Sequence, residues 1–476
     1  MAWNFANAGG GFLIQIVRGI ILARLLVPEE FGVVGMAMGT CALSGIFTNL
    51  GMGGALVQTR SLERHCSNSA FWFQTLVTFA IAVLLAAASP WVASFYGDAR
   101  LTPIVCVLSA GMLINGSLTV PLALMQRDLR FKEINVMWGV LRLASFATAV
   151  TMAATGWSYW SLIVPDIATR LFALPTLLWR QKWLPRFGVN LGSLRPIMSF
   201  SAKSFFSQCL ATINTNIDYV ILGRFFAPEI FGLYFFGYRR VRGPLKVGTM
   251  SVRAALFPAL SRVQDSAESA RRAFFQGMPV LAAILYPLAT LGILVAPQLV
   301  PLVFGEEWTP AAPLLQMFLV WTYFIPINLL VTANFQSRGI FAPTLLDSSA
   351  RAILLTVGLV FLGAGGYSIY WCGFWVILVE MFGNTFVAAW GLQHMEIRFR
   401  QVLRTMAGPL AAGLAVAAFD LLWWPLAPGA EGFASWGILL ARLIQGVGVG
   451  FLVTYCVDRH LVHTMFQQLA ELVRSR

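Results

Sequence analysis

Apolar runs of about 17 to 25 residues follow one another along the chain, divided by short polar or turn-forming stretches, and a helix of that length crosses the hydrocarbon core of a bilayer. Fourteen runs are read, over residues 8–26, 33–57, 70–95, 101–125, 134–155, 158–179, 203–226, 233–257, 274–300, 311–335, 345–364, 367–391, 405–426 and 434–457. No interval between them is long enough for a sizeable soluble domain. The pattern predicts an all-α polytopic membrane protein with about 14 transmembrane helices.

Polar positions inside the runs are the exceptions that need a reason. The stretch Tyr234 to Phe257, YFFGYRRVRGPLKVGTMSVRAALF, is long enough to span yet carries five basic residues. A cation at the bilayer midplane costs about 2.5 kcal/mol or more, so intramembrane charges usually face a bundle interior or a wet cavity. On a regular helix Arg239, Arg242, Lys246 and Arg253 fall within roughly a 60° arc and Arg240 lies about 100° from Arg239, with a kink at Gly243 and Pro244 able to divide the stripe. In the first run Gln15 and Arg18 share a face; in the seventh, Lys203, Ser207, Asn214 and Asp218 do. Arg142, Arg170, Arg351 and Arg442 add further cations, whereas the intramembrane acids are chiefly Asp166, Asp218, Asp347, Glu380 and Asp420.

The pattern also repeats. Residues 20–32, IILARLLVPEEFG, align without gaps on 220–232, VILGRFFAPEIFG, and FYGDARLTP (95–103) echoes FGEEWTP (304–310) at a slightly longer offset. Both echoes fall in equivalent outer loops of two six-span blocks, as a duplication requires. An even number of spans per copy gives both copies the same orientation, a parallel repeat. The expected organisation is an N-lobe over 1–180, a cytoplasmic linker over 181–196, a C-lobe over 197–391, two additional helices within 392–457 and a cytoplasmic tail over 458–476.

Composition agrees with the membrane reading: of 476 residues 58% are hydrophobic and 11% charged, against about 25% charged in soluble domains. The net charge of +13 is dispersed among spans and short loops, which argues for membrane topology over a nucleic-acid partner. With a cytoplasmic N-terminus, nineteen basic residues, from Arg60 to Arg476, fall in cytoplasmic loops and tail, and only Arg100 falls in the opposite loops. The positive-inside rule therefore places both termini in the cytoplasm. No cleavable signal is read, so the first helix is expected to be retained. Six cysteines without paired spacing predict neither a disulfide nor a metal site, and His65, His394, His460 and His463 form no ligand cluster.

An excess of buried cations over acids calls for water or an anion, since an unpaired buried charge is strongly unfavourable. A phosphate or pyrophosphate suits a group of arginines that donate charge-assisted hydrogen bonds. The candidate substrate-binding residues are Arg18, Lys203, Arg239, Arg240, Arg242 and Lys246, Arg239, Arg240 and Arg242 leading. Asp218 and Glu380 are candidates for a coupling-ion site, with pairing to a neighbouring arginine as the competing role. No catalytic residue, resident metal or cofactor is read.

Three stretches, LARLLVPEEFG (22–32), VPLALMQRDLRFK (120–132) and FPALSRVQ (257–264), in a chain of this organisation, resemble bacterial oligosaccharide flippases of the O-antigen and colanic-acid exporter type. These belong to the multidrug/oligosaccharidyl-lipid/polysaccharide superfamily. The resemblance implies a V-shaped pair of lobes that moves an undecaprenyl-pyrophosphate-linked oligosaccharide across the bacterial cytoplasmic membrane by alternating access, through a cationic cavity that Arg18, Arg239, Arg240 and Arg242 would fit. It departs in one respect: family members commonly carry a longer, more basic segment before the first span. The expected protein is a transporter for polysaccharide or lipopolysaccharide biosynthesis in the inner membrane, not an enzyme. It is expected as a monomer among membrane lipids, beside polysaccharide polymerase machinery, with a Na+ or H+ gradient as its expected drive. A cation-coupled multidrug exporter of the same superfamily is the nearest alternative, and would carry a midplane acid where the first lobe offers little besides Asp166. A membrane glycan polymerase or ligase would need longer outer loops and a catalytic set.

Overall fold

The computed structural model of the chain describes residues 2–48, 52–58, 64–261, 267–423 and 433–457. Among these the regular structure is helical: α1 (Ala2–Leu25), α2 (Pro28–Ser44), α3 (Met52–Gln58), α4 (Arg64–Tyr96), α5 (Leu101–Arg127), α6 (Phe131–Ala154), α7 (Trp160–Gln181), α8 (Leu191–Phe225), α9 (Pro228–Ser261), α10 (Ala267–Phe304), α11 (Ala312–Val320), α12 (Ile325–Ser337), α13 (Ala342–Ala364), α14 (Ile369–His394), α15 (Phe399–Trp423) and α16 (Phe433–Val457). With α2 and α3 taken as one broken span and α11 and α12 as another, they follow the order of the fourteen apolar runs. Ten described segments are long and apolar enough to cross a membrane by length and composition. The expected all-α polytopic class is the one found.

The breaks have local causes. A 3-10 turn over Gly45–Thr48 follows α2 where a single span over 33–57 is expected. Thr48 Oγ1 donates to the Gly45 carbonyl at 2.8 Å, and the Gln74 side chain from α4 donates to the Thr48 carbonyl, so both ends of the turn are held by side chains in place of the helical ladder. In the tenth span a 3-10 turn over Trp321–Phe324 precedes α12, whose first turn holds Pro326; proline has no N–H to continue the preceding ladder. α9 runs as one helix through Gly243 and Pro244. α8 begins at Leu191, well before the expected 203, its first turn capped by the Asn190 side chain accepting from the Gly192 N–H at 3.0 Å.

The two copies of the repeated motif adopt one geometry. The residue before proline is pushed out of the helical region, and Val27 accordingly has φ −91° and ψ 160°. In the second copy α8 ends on extended Phe226 and α9 starts at Pro228. Each preceding helix closes with the same bond, Leu26 N to Leu22 O and Phe226 N to Leu222 O, both at 2.9 Å. The Glu30 carboxylate accepts from the Val27 N–H at 3.0 Å, and acids in the first turn suit the positive end of the helix. The copies also cross each other. A Cβ built on Gly32 would lie 1.8 Å from the Pro228 carbonyl oxygen, and one on Gly232 would lie 1.9 Å from that of Pro28. The reciprocity explains why both copies end in glycine.

The chain divides into two compact units, residues 1–235 with 359–366, and residues 236–358 with 367–476. In the first, α1 packs on α6, α4 on α5, α5 and α6 on α7, and α2 on α8. Its cores join Met52 and Leu56 to Phe71, Val120 and Leu124, and Leu118 and Met125 to Ile134, Ala173 and Leu177. In the second, α10 is the central helix, contacting α11, α12, α15 and α16. Phe274, Met278 and Tyr286 pack with Leu330, Phe335, Val387 and Met406, and Leu291 and Val295 pack with Val416 and Leu439. The last two spans are thus tied to the core of the second unit.

Candidate functional site

The cationic stretch of α9 is set in an aromatic frame. Tyr234, Phe235, Phe236, Tyr238 and Val241 are buried, which fixes the helix by its apolar face, while Arg239 is exposed and Arg240 and Arg242 are half-buried. The Arg240 guanidinium lies 4.8 Å from the Phe236 ring centre and 5.3 Å from that of Phe304. Arg242 lies 5.1 Å from Tyr238 and 5.4 Å from Trp321. Each arginine therefore reaches back one helical turn to its own aromatic and outward to one on another element. Such contacts are worth about 0.5 to 2 kcal/mol and engage the face of the guanidinium plane. Tyr238 is itself packed edge-on against Phe318, and Phe236 lies tilted over Trp308 with ring centres 4.1 Å apart, so the rings that hold the cations are fixed from behind. The sequence reading picked out the arginines and missed their aromatic partners. The signal for half of them was present, because Phe236/Arg240 and Tyr238/Arg242 are both four apart; Phe304 and Trp321 required the tertiary fold.

Most intramembrane acids are engaged elsewhere. Arg18 on α1 makes an ion pair with Asp166 of α7 at 2.6 Å, and Ser145 of α6 bonds both, at 3.3 Å to the guanidinium and 3.0 Å to the carboxylate. Arg351 on α13 bonds Asp347 at 2.8 Å, contacts Glu380 of α14 and reaches Asn384 Oδ1 at 3.2 Å. Arg442 of α16 holds Asp420 of α15 and the Gln298 side chain of α10. Asp218, buried on α8, accepts from the Tyr234 hydroxyl at 2.7 Å.

The sequence candidates therefore fall into separate groups. Arg239, Arg240 and Arg242 are neighbours on α9 in the second unit. Arg18 belongs to the Asp166–Ser145 cluster of the first unit, its charge met by a carboxylate. Glu380 sits in the Arg351 cluster of the second unit and Asp218 beside Tyr234 in the first. Lys203 and Lys246 lie outside the residues whose side chains are described. Among the described residues no group of three or more metal-ligating side chains occurs.

Three comparisons with known proteins bear on this arrangement. Residues 21–313 match the family model described as "Polysaccharide biosynthesis protein". The chain is 27% identical over 315 residues to the lipopolysaccharide biosynthesis protein WzxC of Escherichia coli (strain K12), covering 64% of this chain and 63% of that one. It is similarly 27% identical over 314 residues to the teichuronic acid biosynthesis protein TuaB of Bacillus subtilis (strain 168), covering 65% and 64%. The match thus spans just under two thirds of the length of these relatives. Among solved structures, the lipid II flippase MurJ in an inward closed conformation superposes with a TM-score of 0.76 at 10% identity, covering 97% of this chain and 99% of that one. An inward-facing multidrug resistance transporter of the MATE family, in the MOP superfamily, superposes with a TM-score of 0.62 at 15% identity, covering 81% and 94%. At these identities the likeness is one of fold.

Proposed function

Because the chain belongs to the polysaccharide biosynthesis protein family, the one its motifs resemble, we propose that it is a transporter and not an enzyme: a flippase for a lipid-linked oligosaccharide. The glycan is carried on undecaprenyl pyrophosphate and moves from the inner to the outer leaflet of the bacterial cytoplasmic membrane by alternating access, both protein termini staying in the cytoplasm. The observation that carries this reading is a helix on which Arg239 is exposed and Arg240 and Arg242 lie on aromatic faces. A pyrophosphate leaving water needs its hydration replaced by fixed donors, and guanidinium groups supply several each with little reorganisation. The lipid tail remains in the bilayer throughout.

For coupling to a Na+ or H+ gradient we propose Glu380, which shares the Arg351 guanidinium with Asp347, so that a proton or a monovalent cation would balance the second carboxylate. Asp218, holding the Tyr234 hydroxyl, is the other acid proposed for that role. The working unit is a monomer that delivers its product to polysaccharide polymerase machinery. Mass spectrometry of lipid co-purified with the protein tests the substrate assignment. An undecaprenyl-pyrophosphate glycan is expected; co-purification of ordinary phospholipid alone, together with drug resistance conferred on expressing cells, would favour the multidrug exporter instead.

A further inference from the structure

Within the first unit a groove of about 500 Å³ runs between α6 and α7 and reaches α5. That volume falls within the range of small-ligand sites, about 300 to 1,000 Å³. The groove is apolar along α6, through Val136, Val140 and Leu141, and ends on Lys132, Glu133 and Arg180. Val136 and Val140 are exposed one helical turn apart, so this face of α6 is turned to the surroundings of the bundle, which for a membrane helix are acyl chains. The acids at the polar end are already engaged. Glu133 accepts from Arg130 Nε at 2.8 Å and Nη2 at 2.7 Å, and Asp128 accepts from the Gln181 side chain at 2.8 Å. Arg130 also donates to the Arg180 carbonyl at 2.9 Å, which ties the start of α6 to the end of α7. Among the described residues the Arg180 guanidinium makes one hydrogen bond, to Glu133 at 3.3 Å, and lies 5.4 Å from the Trp179 ring. Most of its five N–H donors are thus unspent.

Beside this end, Trp179, Leu184 and Phe187 are 73%, 79% and 80% exposed and are interleaved with Lys182 and Arg186. Large apolar side chains mixed with cations belong at the headgroup boundary, rings and alkyl groups in the acyl region and charge outside it. Protein contacts hold the segment there. The Trp72 indole donates to the Arg186 carbonyl at 3.0 Å, Trp183 packs edge-on against buried Phe71, and the Asn190 N–H donates to Ser69 Oγ at 3.0 Å. Groove and anchor are therefore built before any lipid arrives, which lowers the cost of binding one. The positive-inside reading puts this end on the cytoplasmic side, where anionic lipids attract basic residues. With Glu133 met by Arg130, Lys132 and Arg180 bring two positive charges to a mouth that opens on an apolar track. That pairing fits a phosphate attached to a hydrocarbon chain and disfavours a headgroup that adds its own ammonium. We propose that the groove binds one anionic glycerophospholipid of the phosphatidylglycerol class, its phosphate between Lys132 and Arg180 and an acyl chain along Val136, Val140 and Leu141. The site belongs to the first unit and the α9 arginines to the second, and it does not depend on the flippase reading.

The test is lipid retention. Full-length protein is placed in phosphatidylcholine nanodiscs doped with equal amounts of phosphatidylglycerol and phosphatidylethanolamine, re-extracted in detergent, and its bound lipid counted by native mass spectrometry. Charge-assisted bonds give phosphatidylglycerol about a tenfold advantage over phosphatidylethanolamine. Lys132→Gln combined with Arg180→Gln should erase that advantage, and Val140→Trp, which fills the groove without altering its charge, should lower retention of phosphatidylglycerol several-fold. Arg398→Gln, which removes an exposed cation of the second unit, should leave retention unchanged. Equal retention of the two lipids by the wild type, an undiminished advantage in the double variant, or an equal loss in Arg398→Gln would each overturn the proposal. If the double variant does not fold, Val140→Trp decides, and undiminished phosphatidylglycerol in that variant overturns it equally. Undecaprenyl phosphate added to the mixture should leave the bound phosphatidylglycerol in place; its displacement would give the groove to the carrier lipid and overturn the assignment. Retention involves no transport, so failure here leaves the flippase reading to be judged by its own lipid and translocation measurements.

Discussion

Arg351 shows how an intramembrane charge is made tolerable by its neighbours. Its side chain is about nine-tenths buried between Asp347, one turn away on the same helix, and Glu380, and removing one partner of such a cluster leaves the others charged and uncompensated. Arg351→Gln should therefore lower stability by about 3 to 5 kcal/mol, read as a fall in the denaturation midpoint of the purified protein, whereas Arg351→Leu combined with Asp347→Leu and Glu380→Leu should recover much of it. Only part of this was legible beforehand. Asp347 and Arg351 are four apart and announce themselves as a helical pair, but Glu380 lies 29 positions from Arg351, and Asp166 lies 148 from Arg18. Sequence periodicity reports which side chains share a helix face and is silent on which helices meet. The excess of cations over acids was therefore visible, whereas the identity of the arginines that use up those acids was not.

Among the described glycines, the closest approaches to a neighbouring backbone fall at the repeated motif. With the Gly32 and Gly232 Cβ positions lying within 2 Å of proline carbonyl oxygens, alanine at either site must push the crossing backbones apart. Gly32→Ala and Gly232→Ala should each destabilise by about 1 to 3 kcal/mol, the usual cost of overpacking, while Gly54→Ala on α3, which has nothing within 4 Å, should be neutral or slightly stabilising. Thermal melting of the three variants compares them directly. The turn joining α4 to α5 gives a pH signature. Asp98 accepts from the Arg100 backbone N–H at 2.9 Å and from its guanidinium at 2.7 Å, and the same arginine reaches Glu29 at the start of α2 at 2.7 Å. The hydrogen bonds and charge of Arg100 hold the Asp98 carboxyl below its ordinary value. A depressed carboxylate stabilises the fold above its unfolded pKa, and that contribution is lost as pH falls through the folded one. The melting temperature should thus drop below about pH 4, and Asp98→Asn should start lower at pH 7 and show a smaller drop. The motif's sequence revealed its turn, because Pro28 and Pro228 force it; that the two turns pack reciprocally followed only from the fold.

Along the described residues, the all-α polytopic class and the order of the helical segments could be read directly, since hydrocarbon thickness fixes the length of an apolar run. The broken second and tenth spans could not, because side-chain bonds from Gln74 and the missing N–H of Pro326 act below the resolution of hydropathy. The central claim is that the arginines of α9 meet the phosphates of a lipid-linked glycan. Its most direct test is translocation of a labelled undecaprenyl-pyrophosphate oligosaccharide by protein reconstituted in vesicles, wild type against the Arg239→Gln, Arg240→Gln, Arg242→Gln triple variant. The account predicts that the variant keeps the wild-type melting temperature to within a few degrees and loses translocation to background; undiminished translocation by a folded variant would contradict it.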